Sequence, residues 1–325
     1  MSARESILVT GGMGFVGSHF ARAAHESGSR VVVLDDLSAG TAPVLAEAIT
    51  FVHGDIADRA VVSRLMKQHR ITSVAHFAGK IQVGESVEKP AMYFERNVVR
   101  TLALLDVVLD HGPGTFLFSS TAAVYGMPDQ VPIPETAHLA PINPYGHSKL
   151  AIEHALAAYG EAYGLGWAAL RYFNAAGAHP DGTLREDHDP ETHLIPLVID
   201  AALGRRPPLT IFGDDYATHD GTCIRDYVHV SDLARAHLAA LDALDAGQAV
   251  GATNLGSGRG FTVREVIEET ARVLGKPVPY TVGPRRAGDP AVLLASNERA
   301  AAVLGWRTER SDLGTVIDDA VRARR

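Results

Sequence analysis

At 325 residues and 46% hydrophobic content, the chain is long enough for two domains, or for one large α/β unit with an elaborated end, and can bury a sizeable core. Its 30 basic against 38 acidic residues leave a net charge of −8, which argues against a general nucleic-acid binder, since that would need a basic face. The single cysteine, Cys223, excludes an internal disulfide and is read as a small buried residue rather than a nucleophile. The start, M-S-A-R-E-S, has no signal-peptide core, and no stretch approaches the about 18 uncharged apolar residues of a membrane helix, so a soluble cytoplasmic protein is expected.

The first strand pattern, 7–10, runs directly into T-G-G-M-G-F-V-G-S-H and a helical pattern over 18–26. The turn fits both G-x-x-G-x-x-G (Gly11, Gly14, Gly17) and G-x-G-x-x-G (Gly12, Gly14, Gly17). Such glycines serve a tight turn, close approach of backbone to a pyrophosphate, and close packing of helix on strand. Ser18 stands where a phosphate-loop ATPase requires lysine, which disfavours that class. The next strand, 31–35, ends at Asp35, followed by Asp36. An acid there accepts hydrogen bonds from adenosine ribose hydroxyls and repels a 2′-phosphate; with no Arg or Lys between Asp36 and Arg59, NAD is expected over NADP. After a third strand, G-D-I (54–56) leaves two readings of Asp55 open: a partner for the adenine amino group, or a helix cap.

Helical patterns over 61–69 and 98–109 alternate with strands over 73–77 and 116–119. N-P-Y-G-H-S-K-L (143–150) then opens a helix read over 148–163, and a strand follows over 168–172. Pro144 suits the first helical turn, and Tyr145 and Lys149 share one face at i, i+4. An ammonium there would lower the phenol's pKa, making a proton-transfer pair; a plain helix-surface contact is the alternative that spacing leaves open. Strand–helix alternation with apolar strands predicts an α/β fold with a doubly wound parallel sheet of the Rossmann type.

From residue 177 to 227 the chain is rich in Gly, Pro, Asp and His, with one short helix over 195–202. A helix over 231–244 and a strand over 252–256 resemble the first half again, and helix 262–274 and a short terminal helix follow. The expected division is a dinucleotide-binding domain over 1–174 to which 228–257 returns, and a smaller, interleaved α/β substrate domain over 175–227 and 258–325. The fifteen histidines and H-P-D-G-T-L-R-E-D-H-D-P-E-T-H (179–193) raise a metal site. No H-E-x-x-H occurs and the spacing fits no tetrahedral ligand set, so the reading is polar loop residues near an anionic substrate and no metal. Asp214, Asp215 and Asp220 fail the calcium-loop pattern too.

With H-F-A-G (76–79), F-S-S-T-A-A-V-Y-G (118–126), Y-G-H-S-K (145–149) and R-Y-F-N (171–174) in this order, the sequence resembles the extended short-chain dehydrogenases/reductases. More narrowly it is similar to the UDP-glucose 4-epimerases, through V-G-E-S-V-E-K-P (83–90), G-A-H-P (177–180), E-T-H-L-I-P (191–196), G-T-C-I-R-D-Y-V-H-V (221–230) and P-R-R-A-G-D (284–289). The resemblance implies an isomerase interconverting UDP-glucose and UDP-galactose through a 4-keto sugar on tightly held NAD, in a homodimer built through two sheet-domain helices. It implies Tyr145 as base and acid, Lys149 on the nicotinamide ribose, and Thr121 on the sugar O4. Gly11, Gly14, Phe15, Val16, Gly17, Asp35, Asp36, Asp55, Ile56, Phe77, Ala78, Gly79, Asn97, Ser119 and Phe173 would line the cofactor, with Tyr145 and Lys149. Asn174, His193, Leu194, Thr210, Ile211, Phe212, Arg225, Arg286 and Asp289 would hold the UDP, the arginines as bidentate phosphate anchors.

Four positions depart from a common form of that pattern. Thr121 replaces a serine, Ile81 replaces a lysine that here stands one place earlier as Lys80, Arg96 precedes Asn97 where two asparagines occur, and Leu293 stands at the sugar-side position. Ala122 and Ala123 occupy the places where a nucleotide-sugar 4,6-dehydratase carries an Asp-Glu pair, which disfavours dehydration. A 4-epimerase of UDP-N-acetylhexosamines or UDP-pentoses remains an alternative because Leu293 is of intermediate size. A non-catalytic NAD-binding protein would keep the glycine loop but has no need of Thr121, Tyr145 and Lys149 together.

Overall fold

The computed structural model of the chain describes residues 6–38, 45–112, 114–286 and 288–325; the first five residues of M-S-A-R-E-S and Ala287 of P-R-R-A-G-D lie outside them. Short Val-, Ile- and Leu-rich runs form β1 (Ile7–Thr10), β2 (Val31–Asp35), β3 (Thr50–His53), β4 (Ser73–His76), β5 (Thr115–Thr121) and β6 (Gly166–Tyr172). The chain then leaves this sheet through β7 (Asn174–Ala176), β8 (Leu209–Phe212) and β9 (Ile224–His229), and returns to it as β10 (Gly251–Leu255). All pairings in the large sheet are parallel, in the order β3-β2-β1-β4-β5-β6-β10.

Alternation along each strand sends neighbours to opposite faces, which is why both faces need cover. Ile7, Val9, Val31 and Val33 join one core with Phe20 and Leu233, from helices Phe15–Glu26 and Val230–Asp245. Leu8, Val32, Leu34 and Val74 join the other with Leu65, Leu104 and Ile152, from helices Arg59–His69, Arg100–Asp110 and Pro144–Tyr163. The expected doubly wound parallel sheet is therefore the observed one. Strand order reverses between β1 and β4, and the crevice beyond the strands' C-terminal ends is where such sheets bind ligands.

The smaller assembly completes the expected fold class. In it β9 pairs in parallel with β7 and with β13 (Val292–Leu293), and antiparallel with β11 (Gly260–Thr262). Strand β8 pairs in parallel with β12 (Tyr280–Gly283). Helices Leu194–Ala202, Val263–Leu274 and Leu313–Arg324 close a third core over Ile211, Val266 and Ile317. Ala300 and Trp306, late in the chain, pack instead into the first core, on the face of helix Val230–Asp245. Among the described residues no helix is long and apolar enough to cross a membrane.

Helices begin earlier than periodicity predicts. The first starts at Phe15 with Gly14 as its cap, the second at Arg59 with Asp58 as its cap, and the Tyr145 helix at Pro144 with Asn143 as its cap. Around Asp58 and Asn143 the capping turns carry few apolar residues, so the hydrophobic period starts only one turn in, whereas Phe15 and Val16 fall inside the glycine motif. The pattern over 98–109 is part of a longer rod: helix Pro90–Phe94, a five-residue π turn Glu95–Val99, and helix Arg100–Asp110.

Candidate active site

The glycine loop joins β1 to helix Phe15–Glu26 at the reversal point. Three of its glycines are there for the protein's own packing. A Cβ on Gly11, whose φ is +69°, would meet the Ala78 backbone nitrogen at 2.4 Å; one on Gly12 would meet Val33 at 2.8 Å; one on Gly17 would meet the Gly11 carbonyl at 2.2 Å. Gly14 differs, because its nearest neighbour would be the Gly11 oxygen at 3.4 Å, and its side faces open space. No side chain caps the helix that Gly14 starts, and its first turn holds no acid. That is a cradle for an anion at a helix N-terminus, and it fits the pyrophosphate of a dinucleotide.

The acids beyond it are already tied to the frame. Asp35 accepts the Met13 amide from the glycine loop and the Leu37 amide, both at 2.9 Å, and burial raises its carboxyl despite them. Asp36 accepts the Ser38 amide at 2.9 Å and pairs with Arg96 at 3.1 Å; hydrogen bonding from Ser38 and the Arg96 charge outweigh partial burial and hold it below the usual range. Arg96 reaches this position from the π turn, so a cation stands here that the stretch up to Arg59 did not reveal. Asp55 accepts the Ala57 amide at 2.9 Å and pairs with Arg100. The following helix is capped by Asp58, so of the two readings of Asp55 the helix cap is overturned. Ile56 lies in the second core.

At β4 the chain turns with Gly79 at φ +154°, and a Cβ there would meet Asn97 Oδ1 at 3.0 Å. Asn97 accepts the Lys80 amide at 2.7 Å and donates at 3.0 Å both to the Lys80 carbonyl and to Ser148 Oγ. Lys80 is thus held by its backbone, and Asn97 ties this turn to the Tyr145 helix. The Phe77 ring is 5.3 Å from Phe20 and 4.9 Å from His237, so its side chain belongs to the core and its backbone faces the crevice.

Strand β5 ends at Ser119, Ser120 and Thr121 beside Tyr145 and Lys149. Lys149 is 3% exposed; its Nζ donates to the Ser119 carbonyl at 2.9 Å and sits 4.8 Å over the Phe118 ring. Burial lowers its pKa to about 8, against the opposing charge of Glu153 one turn further on. Desolvation pushes the Tyr145 phenol above its ordinary value, and a hydrogen bond with Thr121 pulls the other way. The drop expected from the Lys149 charge does not appear; burial outweighs the Thr121 hydrogen bond, and these two decide the direction. Thr121 Oγ1 also accepts the Ala123 amide at 3.1 Å.

Several further residues surround this group. Tyr93 lies edge-on to Tyr145 with ring centroids 6.5 Å apart, and Tyr172 is hydrogen-bonded to Ser119. Behind Lys149, Glu153 is paired to Arg171, and both are almost fully buried. Ser120 donates to Glu153, and Arg171 donates to the Tyr125 hydroxyl at 2.8 Å. Phe173 packs with Val124, Tyr125 and Leu293 in a small fourth core.

The remaining expected residues lie in the smaller assembly. Asn174 donates to the Asp226 carbonyl at 2.8 Å, while Arg225 pairs with Asp289 and the Arg286 guanidinium lies 4.0 Å over the Phe212 ring. Along β8, Thr210 and Phe212 face outward but Ile211 is 1% exposed in the core, so only its backbone is available to a ligand. His193 caps helix Leu194–Ala202, and Leu194 packs on the third core. The His193 ring is turned to Glu186, and with His188 and Glu191 these groups bring their ligand atoms within 4.8 Å of one another. The loop folds back on the helix start, which brings together four groups whose closeness the 179–193 spacing does not reveal.

A sequence model of the NAD dependent epimerase/dehydratase family matches residues 7–256. A UDP-glucose 4-epimerase from Halalkalibacterium halodurans is 50% identical over 97% of this chain and 94% of its own length. The crystal structure of UDP-glucose 4-epimerase from Brucella ovis in complex with NAD is 48% identical, with a TM-score of 0.92 over 98% of this chain and 97% of that one. That of UDP-glucose 4-epimerase from Bifidobacterium longum in complex with NAD+ and UDP is 35% identical, with a TM-score of 0.89 over 98% of each chain. A cradle that fits a pyrophosphate, a tyrosine and lysine on helix Pro144–Tyr163 beside the end of β5, and relatives of this similarity over the full length agree: the chain belongs to the NAD dependent epimerase/dehydratase family.

Proposed function

We propose that the chain interconverts UDP-glucose and UDP-galactose through a transient 4-keto sugar. The observation that carries this reading is the convergence of Tyr145, Thr121 and Lys149 at the mouth of the crevice. NAD bound along the glycine loop supplies a hydride acceptor and donor for C4 of the sugar. Tyr145 takes the O4 proton and later returns it, and Thr121 shares that proton through its hydroxyl. General acid–base work of this kind needs a phenol whose pKa approaches working pH, and positive charge nearby supplies that shift. Lys149 holds the nicotinamide ribose and provides part of that charge. Gly14 gives room to the pyrophosphate, Asp35 faces the adenosine ribose, and Asn97 and Ser119 shape the wall between them.

The net redox change is zero, so one cofactor serves every turnover. Inversion requires the sugar to present either face, which demands a firm grip on UDP and a loose one on the hexose. Asn174, His193, Leu194, the β8 segment with Thr210, Ile211 and Phe212, and Arg225, Arg286 and Asp289 form that grip. The division into a dinucleotide-binding part (1–174 with 228–257) and a nucleotide-sugar part (175–227 with 258–325) follows this split of labour, with Ala300 and Trp306 anchoring the late chain to the first part. Phe94 and Val99 on the rod beside the Tyr145 helix, and Val87 in the short helix Val83–Glu88 that precedes it, are exposed apolar residues, and they support a homodimer through that face. The setting proposed is cytoplasmic.

An N-acetylhexosamine or pentose substrate is the second reading, because Leu293 is partly buried against the cluster holding Phe173 and sets the width of the pocket. The test is proton NMR of the anomeric region with UDP-galactose and, separately, UDP-N-acetylgalactosamine. Conversion of UDP-galactose supports the first reading, conversion of the N-acetyl sugar alone supports the N-acetylhexosamine form of the second, and conversion of neither rejects both of these.

A further inference from the structure

We propose that Glu186, His188, Glu191 and His193 form a binding site for one divalent transition-metal ion of the Zn²⁺ class. The loop before helix Leu194–Ala202 gathers two imidazoles and two carboxylates, each offering one ligand atom, all within 4.8 Å of one another. A four-coordinate ion with bonds of about 2.0–2.2 Å has ligand-to-ligand edges of about 3.3–3.6 Å. His188 Nδ1 lies 3.3 Å from Glu186 Oε1 and 3.6 Å from Glu191 Oε1, which matches those edges.

The nitrogen itself is the second observation. His188 Nδ1 is shut off from solvent and makes no hydrogen bond; it stands 3.3 and 3.6 Å from the Glu186 and Glu191 carboxylate oxygens as an ion pair only. A cation seated between the three groups replaces that loose pairing with direct bonds. Glu186 is 4% exposed, and its charge is met by His188 and His193, the two imidazoles that would share it with the ion.

Supporting groups hold the ligands from behind. Arg324 donates to Glu191 Oε2 at 3.2 Å and to the Glu186 carbonyl at 3.0 Å, leaving Glu191 Oε1 turned inward. That oxygen accepts the Thr192 and His193 amides at 2.8 and 3.0 Å, which fixes its direction. Such outer hydrogen bonds orient metal ligands. The donor set decides the class of ion: Ca²⁺ and Mg²⁺ prefer all-oxygen surroundings, whereas two imidazoles with carboxylates suit Zn²⁺ and its neighbours. The hydrogen bond between His193 and Glu186 is the contact the ion replaces. The site clamps the loop that presents His193, and binding does not depend on which sugar the protein converts.

The experiment uses the full, tag-free chain freed of metal by chelator and returned to chelator-free buffer. Co²⁺ titration is followed by visible ligand-field absorption, with Zn²⁺ added as competitor and elemental analysis of the protein as purified. The proposal expects one equivalent of Co²⁺ per chain, displaced by Zn²⁺. His188→Gln and Glu191→Gln, each checked for native circular dichroism, should each weaken Co²⁺ binding by at least the about tenfold that losing a ligand's hydrogen-bond partner costs. Absence of saturable Co²⁺ binding together with absence of Zn²⁺ in the purified wild type overturns the proposal. So does wild-type affinity in either folded variant, which would leave the four residues as an ion-pair network.

Discussion

At Tyr145, the proposed base, local spacing and surroundings pull in different directions. Its i, i+4 relation to Lys149 was legible in N-P-Y-G-H-S-K-L, as was the Thr121 hydroxyl in F-S-S-T. The direction of its pKa was not, because desolvation by Tyr93, Tyr172 and the end of β5 comes from residues far apart in sequence. Tyr145→Phe keeps the ring and removes the proton carrier, so turnover should fall about 100- to 10,000-fold while bound NAD is retained, as checked by steady-state rates and by absorbance of the released cofactor. Lys149→Met should lower both turnover and NAD retention. Full activity in Tyr145→Phe would show that the base lies elsewhere. The Glu186, His188, Glu191 and His193 grouping was missed for a related reason: ligand spacing along a chain is diagnostic only when the intervening backbone has a known shape, and this loop has none.

Among the elements, the glycine loop and the Glu153–Arg171 pair make separable predictions. Gly17→Ala drives a Cβ into the Gly11 carbonyl and should destabilise the fold by about 1–3 kcal/mol or more. Gly14 has φ −79° and open space, so Gly14→Ala should cost within about 1 kcal/mol of stability yet weaken NAD binding by about tenfold or more, near 1.4 kcal/mol. Denaturant unfolding set beside a cofactor titration tells the two apart, and equal loss of stability in both variants would remove the distinction between packing and cofactor glycines. Glu153 and Arg171 are 3% exposed each, so Glu153→Ala leaves a buried guanidinium unpaired and should cost about 3–5 kcal/mol by thermal or chemical unfolding. A double replacement by apolar residues should recover much of that loss, and the pair is structural only in name if Glu153→Ala is as stable as the wild type. The strands and their parallel order could be read from alternation with helices, since continuous apolar runs have few other uses. The π turn, the Asp58 cap and the Arg96–Asp36 pair could not, because each depends on side chains meeting across the crevice or on turns with no apolar period.

For the molecule as a whole, three buried histidines set the acid limit of stability. His19 and His237 donate from Nδ1 to the Phe15 and Leu233 carbonyls, both at 2.7 Å, and their Nε2 atoms have no partner, while His76 sits between Thr10 and Thr101. Burial lowers His19 and His76 to about 3 and His237 to about 4, from 6.5. Above pH 6.5 they are neutral whether folded or unfolded. Below it the unfolded chain takes up protons that the folded chain refuses, so stability is lost as pH falls, by about 1.4 kcal/mol per pH unit per histidine. Asp226, raised to about 6 by burial, takes a proton in the folded state first and offsets one of the three below that pH. Urea unfolding at pH 7, 6 and 5 should show a steepening loss, and flat stability across that range would contradict neutral buried rings. The interleaving of the two assemblies was legible from the return of strand character near residue 252, whereas the packing of Ala300 and Trp306 on the first core was not, since a helix of 7 residues carries too few apolar positions to say which core it serves.

In the proposed reaction, hydrogen leaves and rejoins C4 of a UDP-hexose without exchanging with water. UDP-galactose incubated with the full, NAD-bearing chain in D₂O, with no added reductant, tests this when the anomeric and H4 signals are followed by proton NMR. UDP-glucose signals should rise to a steady mixture with hydrogen retained at C4; no new anomeric signal, or deuterium at C4 of the product, would rule the reaction out.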